Sequence, residues 1–277
     1  MYKYELFLKI EKLKIAVIAD IHEDIISLKK ALKMIELEKC DHIVCLGDIL
    51  GYPFMRATYE DTKNASECIN LIRNNCSTVL LGNHDMFHLK KIPKFSSGFK
   101  FPDNWYNLSP EEKMEVSQGK VWNYSDDHPL ILSDNDAEYL RSLPEIAIKD
   151  YGDRKVLFSH FLYPNFSAYV STFNGAGINL RDHFRYQKQN GYELSICGHM
   201  HMEGMGISYD PEESIMSKLF QGFMYYSYGE KKLKNKYCCL TIPAIGDNNQ
   251  VNGFAILNSL DFSINVLSLN TNRRFIL

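Results

Sequence analysis

Several features are missing from this chain, and each absence excludes a class of protein. No run of roughly eighteen consecutive apolar residues occurs, so no transmembrane helix is expected. The first twenty residues, MYKYELFLKIEKLKIAVIAD, hold neither a long apolar core nor a small-residue cleavage site. A secretory leader is therefore not expected, and the cytoplasm is the expected location. Cysteine is sparse and unpaired in pattern: seven residues, an odd number that includes the adjacent Cys238 and Cys239. That is no disulfide framework. Cys40, Cys45 and Cys197 lie in apolar runs, where a free thiol acts as a small hydrophobe, and a reducing compartment fits. Excess positive charge is also lacking. A net charge of −3 and no Lys/Arg stripe argue against a nucleic-acid binder, a nuclease included. There are no repeats and no low-complexity linkers. What remains is ordinary for a soluble globular protein, with 277 residues, 45% hydrophobic and 23% charged. Such a chain can bury a large core without staples.

Strand-like and helix-like patterns alternate at the start. Lys14 to Ala19 reads as a buried strand, and Ile25, Leu28, Leu32 and Ile35 recur at helical spacing within Asp24 to Lys39. His42 to Leu46 is a second buried run. A helix follows at about Thr62 to Asn74, then a third run at Ser77 to Leu81. This order predicts an α/β sheet with parallel pairing. Residues 86–145 break the rhythm and read as a mainly helical insertion within a single domain spanning 1–277. Ser109 before Pro110 and Ser133 before Asp134 are helix-start signals there. Strands resume at Lys155 to Phe158 and at Glu193 to Cys197. The tail runs CCLTI, GFAIL and INVLSL read as an antiparallel meander closing a second sheet.

The chemistry lies where the runs end. In open α/β sheets the ligand site lies beyond the carboxyl ends of the strands. Here those ends carry Asp20 and His22, then Asp48, then Asn83 and His84, then His160, then His199 and His201. Gly47, Gly82 and Gly198 allow the tight exits such ends need. Singly, each element has a plain reading as a solvated turn, a helix cap or a structural histidine. Five coincidences of this type point to a metal centre. His42, His88, His128 and His183 do not share the pattern.

The blocks DIH, GD, GNHD, SH and GHMH, in this order, resemble the motif set of the calcineurin-like metallophosphoesterases. LSDNDAEYLRSLP at 132–144 resembles the family's helix before the fourth block, and Pro243 to Gly246 falls where many relatives carry a Pro-Gly-Ser turn. The resemblance implies a four-layer sandwich of two mixed β-sheets flanked by helices. It implies that Asp20, His22 and His201 bind one metal, that Asn83, His160 and His199 bind the other, and that Asp48 bridges them. His84 would be the acid or charge-stabilising group facing the leaving oxygen. Nitrogen and oxygen donors without thiolate suit Mn²⁺, Fe or Zn²⁺, with Ni²⁺ or Co²⁺ as alternatives, and do not choose among them; two divalent ions, expected to be Mn²⁺, are what the resemblance implies. Two such ions roughly 3.5–4 Å apart acidify a shared water, and the bridging hydroxide attacks phosphorus in line.

The chain departs from the pattern in places. The protein Ser/Thr phosphatases of this superfamily carry an Asp and an Arg where this chain has Gly51 and Tyr52, which resembles instead the smaller prokaryotic phosphodiesterase-like branch. Asp85 is either a substitute for that Asp or a turn and hydrogen-bonding residue. Glu23 and Asp24 stand where relatives carry Gly-Asn; they either repel an anionic substrate or cap a helix. Phe161 replaces a common Gly and would narrow the site. Arg181 and Arg185 are either phosphate contacts or one solvated helix face with Asp182, and Arg56, Tyr52 and Tyr163 are similar cases. Trp105 and Trp122 either line a base-stacking pocket or build a local core with Tyr106 and Tyr124. The expected function is hydrolysis of a small or nucleotide-like phosphoester, monoester or diester. The alternative is a catalytically silent scaffold of the same fold that binds protein partners.

Overall fold

Alternating apolar residues set two faces on each central strand, and both faces are covered. The computed structural model describes residues 12–52, 59–122, 124, 127–151, 154–170, 180–212, 222–233, 236–246 and 251–269. On β1 (Lys14–Ile18), Ile15 and Val17 face one core while Ala16 and Ile18 face another. The second of these cores holds Ile25, Leu28, Ala31 and Ile35 of α1 (Ile25–Leu37) and Cys68, Ile69 and Ile72 of α2 (Ala65–Asn75). Each fully buried Ile or Leu among them contributes about 1.5–3 kcal/mol. Both helices start on side-chain caps: Asp24 accepts from the Ser27 N–H and Asn64 from the Glu67 N–H.

The first sheet also contains β2 (His42–Cys45), β3 (Thr78–Val79), β9 (Gly229–Lys232), β11 (Gly253–Asn258) and β12 (Ser263–Ser268), in the order β3-β2-β1-β11-β12-β9. The second sheet runs β4-β5-β6-β10-β7-β8, from β4 (Ile146–Tyr151), β5 (Arg154–Ser159), β6 (Leu194–Cys197), β7 (Met205–Tyr209), β8 (Met224–Tyr226) and β10 (Cys238–Thr241). Both sheets are mixed. Ile15, Val17, Val44, Ala255 and Val266 of the first pack against Val156, Phe158, Leu194, Ile196 and Leu240 of the second. On the far side of the second sheet, Phe184 of α6 (Arg181–Asn190) packs with Phe161, Cys197 and Cys239. The layers are thus helices, sheet, sheet and helix, the four-layer sandwich expected.

The tail departs from its expected meander. β10 pairs parallel with β6 and antiparallel with β7 in the second sheet, while β11 crosses to the first sheet and pairs antiparallel with β1. β10 is buried throughout and β11 nearly so, and a run apolar on both faces does not distinguish a hairpin from a crossover. Strands β4, β7, β8 and β9 were not anticipated either. Between α3 (Asn83–His88) and β4 lie α4 (Pro110–Ser117) and α5 (Asp134–Ser142), which begin at the predicted caps Ser109 and Ser133. All seven cysteines are free. Among the described residues no helix is long and apolar enough to cross a membrane.

Candidate metal centre

Backbone hydrogen bonds lace the strand-end loops together before any side chain is considered. Asp20 N donates to Gly47 O, His22 N to Asp48 O and Glu23 N to Ile49 O, at 2.9–3.0 Å. Gly198 N donates to His160 O at 3.0 Å, and Gly246 N to Asp20 O at 2.8 Å. The lacing forces unusual backbone. Asp20, His22, Asp48, His199 and His201, five of the seven predicted ligands, have φ between 47° and 67°. Left-handed backbone costs a non-glycine residue about 1–3 kcal/mol and concentrates at functional sites.

The glycines act mainly through contact rather than through chain freedom. Gly47, at φ 103°, does need its missing Cβ for conformation. For Gly82 and Gly198 the reason is different: a Cβ on Gly82 would overlap Asp48 Oδ1, and one on Gly198 would lie 2.6 Å from Asp20 Oδ2. Both predicted carboxylate ligands therefore pack directly on glycine backbone.

The side chains converge. His201 Nε2 lies 3.3 Å from Asp20 Oδ1 and 3.1 Å from His22 Nε2. His160 Nε2 lies 3.1 Å from Asp48 Oδ2 and 3.0 Å from Asn83 Oδ1. Among the described residues three groups could hold a cation: Asp20, His22 and His201; His22, Asp48 and His84; and Asp48, His160 and His199. Within each, the ligand atoms lie within 4.8 Å of one another. Asp48 belongs to two of the groups, on either side. The other ring nitrogens are anchored: His22 Nδ1 lies 2.7 Å from Gly51 O and His160 Nδ1 3.1 Å from Leu46 O. Such anchors select the ring orientation and the tautomer of a ligand imidazole.

Protonation follows from these surroundings. Burial pushes His199 down to about 3 and His22 to about 4, leaving neutral rings with free lone pairs. Burial opposes charge on Asp20 too, but His201 and His160 hold it down at about 2. Burial would also lower His84, yet the charge of Asp48 and the Asp127 hydrogen bond raise it to about 9.

The remaining sequence candidates fall into place. Asp85 is a hydrogen-bonding residue: its buried carboxylate accepts from the N–H groups of Asp48, Gly82, Ile49 and Leu50 at 2.8–3.0 Å. Glu23 accepts from Gly51 N and pairs with Lys63 at 3.5 Å, so its charge is spent under the loop rather than on a substrate. Asp24 caps α1 as expected. Phe161 packs its ring 4.7 Å from that of His199 and joins the α6 core. Arg185 pairs with Asp182 at 2.6 Å, and Tyr163 stacks on Tyr186. Tyr52 is buried against Tyr59, and Trp105 sits in a local core with Phe99 and Phe101. Trp122 is 43% exposed and lines a cavity of about 150 Å³ with Trp105, Lys113, Met114 and Tyr124. Arg56 lies outside the described residues.

Two residues of the site gave no usable sequence signal. Asp127 Oδ2 accepts from His84 Nδ1 at 2.6 Å and from His88 Nε2 at 3.2 Å. His84 and His88 lie four apart on α3 and hence on one helix face, the only hint that His88 belongs beside the site.

Comparison with known proteins agrees with this geometry. Residues 13–203 match the calcineurin-like phosphoesterase family, and the chain belongs to it. Uncharacterized protein MJ0912 of Methanocaldococcus jannaschii is 26% identical over 272 residues, 92% of this chain and 87% of that protein. A metallophosphoesterase from Sphaerobacter thermophilus shares the fold with a TM-score of 0.61 at 18% identity, covering 95% of this chain and 90% of its own. Hypothetical protein PH1004 from Pyrococcus horikoshii OT3 does so with a TM-score of 0.54 at 15% identity, over 94% and 89%.

Proposed function

We propose that the protein is a dinuclear-metal phosphoester hydrolase, a phosphodiesterase or phosphomonoesterase acting on a small or nucleotide-like substrate. One observation carries this reading: Asp48 groups with His160 and His199 and also with His22, which itself groups with Asp20 and His201, and five of these six residues have left-handed backbone. Asp20, His22 and His201 would hold one cation, Asn83, His160 and His199 the other, with Asp48 between them. The donor set fits, since two carboxylates, four imidazoles and an amide oxygen, with no thiolate, suit borderline divalent ions such as Mn²⁺, Fe²⁺ or Zn²⁺. When bound, the cations would acidify a water molecule and neutralise phosphoryl oxygens.

The chain's own residues do the rest. Asp20 and Asp48, kept ionised, offset the cation charge. His84, on α3 beside Asp48, delivers a proton to the departing oxygen, a general-acid task worth about 10²–10⁴-fold. Silent scaffolds of this fold would lack a ligand or this histidine, and here all eight residues are present and close together.

The test is hydrolysis of paired aryl phosphomonoester and diester substrates with added Mn²⁺. Turnover of either is expected. No hydrolysis of both, across Mn²⁺, Fe²⁺, Zn²⁺, Ni²⁺ and Co²⁺, would sink the proposal.

A further inference from the structure

We propose that Asp127, which lies outside all five strand-end blocks, is the positioning residue for His84, holding Nδ1–H on its carboxylate so that the proton on Nε2 faces the leaving oxygen. The inference rests on the hydrolase reading for its chemistry and on the geometry around His84 for its residue.

Among the described residues, the second block makes no hydrogen bond to His84 Nδ1, since its Asp48 accepts from the His84 backbone N–H instead. At Gly51, where protein Ser/Thr phosphatases carry an Asp, a Cβ would lie 2.5 Å from His84 Nδ1 and 2.6 Å from its Cβ. His84 thus leans into the volume a side chain at 51 would need. The neighbouring Asp85 is committed, since its two oxygens already accept four backbone N–H groups. Asp127 fills the role from another direction. Its side chain has no solvent exposure, and a carboxylate only accepts, so a 2.6 Å approach requires a proton on His84 Nδ1. His88 Nε2 makes a second contact to the same oxygen at 3.2 Å and steadies it. Burial works against charge on Asp127, but these two imidazoles hold it down at about 2.

The surroundings leave the ring little freedom. His22 meets His84 edge-on at 4.8 Å between centroids, and Tyr124 does so at 5.1 Å. Tyr124 in turn stacks on Phe87 at 4.5 Å. Next to Asp127, the His128 N–H donates to Tyr52 O at 3.4 Å, tying this segment to the second-block loop. The proton donor would therefore be completed by residues between α4 and α5 rather than by a motif block.

The test pairs turnover with a spectroscopic signature. Leaving-group assistance matters most for poor leaving groups, so Asp127→Ala should lower kcat on an alkyl phosphoester about 100-fold. On the 4-nitrophenyl ester the loss should be only a few-fold, with KM and bound Mn²⁺ unchanged. Asp127→Asn, whose amide oxygen still accepts from Nδ1, should recover part of the loss. His84→Ala should show the same leaving-group pattern. Equal losses on both esters, or loss of Mn²⁺, would make Asp127 merely structural and overturn the proposal. Independently of turnover, nitrogen-15 NMR of the wild-type protein should show a slowly exchanging, far-downfield Nδ1 proton on His84 that Asp127→Ala abolishes. Its absence in the wild type, or its persistence in the variant, overturns the proposal even if no ester is hydrolysed. Failure of the wild type to hydrolyse any ester counts instead against the hydrolase reading.

Discussion

Two regions meet at His84 and hold their residues by opposite means. The strand-end loops fix Asp20, His22, Asp48, His199 and His201 through the backbone: inter-loop hydrogen bonds, left-handed φ angles and glycines pressed against carboxylates. The segment between α3 and β4 packs largely through side chains, and the Asp127 carboxylate meets the imidazoles of His84 and His88 while its own N–H donates to Tyr124 O. There Phe99 and Phe101 pack edge-on against Trp105, Phe101 also meets Tyr169 from beyond β5, and Tyr124 stacks on Phe87 of α3. It still leaves a cavity beside the half-exposed Met114 and Trp122. The first arrangement is intolerant, because moving one loop moves several ligands. The second keeps separate its effect on His84 and its effect on the metal centre, which makes the contrast testable.

The largest expected effect lies in the loops. Asp48→Asn should lower turnover by at least ~10³-fold and strip metal, because in the proposed centre the carboxylate would serve both cations. His84→Ala should lower turnover of an alkyl phosphoester about 10²–10⁴-fold with metal content unchanged. If it too strips metal, as the His22, Asp48 and His84 group would allow, the division between the regions fails. Trp105→Ala should destabilise the fold by about 3–5 kcal/mol in denaturant unfolding, as the ring is 2% exposed. Trp122→Ala should cost less than about 1 kcal/mol. Comparable values for the two would mean that the segment is not a packed core around Trp105.

The smallest effect contrasts two buried histidines. His84 is held up by carboxylates, while burial alone pushes His183 down to about 3. A histidine with a depressed folded pKa contributes stability above its unfolded pKa near 6.5, lost as pH falls toward 3. His183→Gln should therefore flatten the decline in stability over that range. An unchanged slope would place the acid sensitivity elsewhere.

The same contrast explains what the sequence reveals. The candidate ligands on strand ends are legible because a buried run, a glycine and a polar residue are adjacent in the chain. Helix caps such as Asp24, Ser109 and Ser133 are legible for the same local reason. Asp127 is not, because its partners His84 and His88 are about forty residues away and nothing beside it announces them. Nor is the divergence of β10 and β11 into different sheets, since both are apolar on either face. The role of Gly51 lies between these cases. Its replacement of an acidic residue is visible in sequence, but the volume it yields to His84 is visible only in three dimensions.

The central claim is a two-ion centre bridged by Asp48, and metal stoichiometry tests it most directly. After incubation with Mn²⁺ and removal of excess, elemental analysis should find two ions per chain in the wild-type protein and fewer in Asp48→Asn. No bound ion in the wild type, or a full complement in Asp48→Asn, would contradict it.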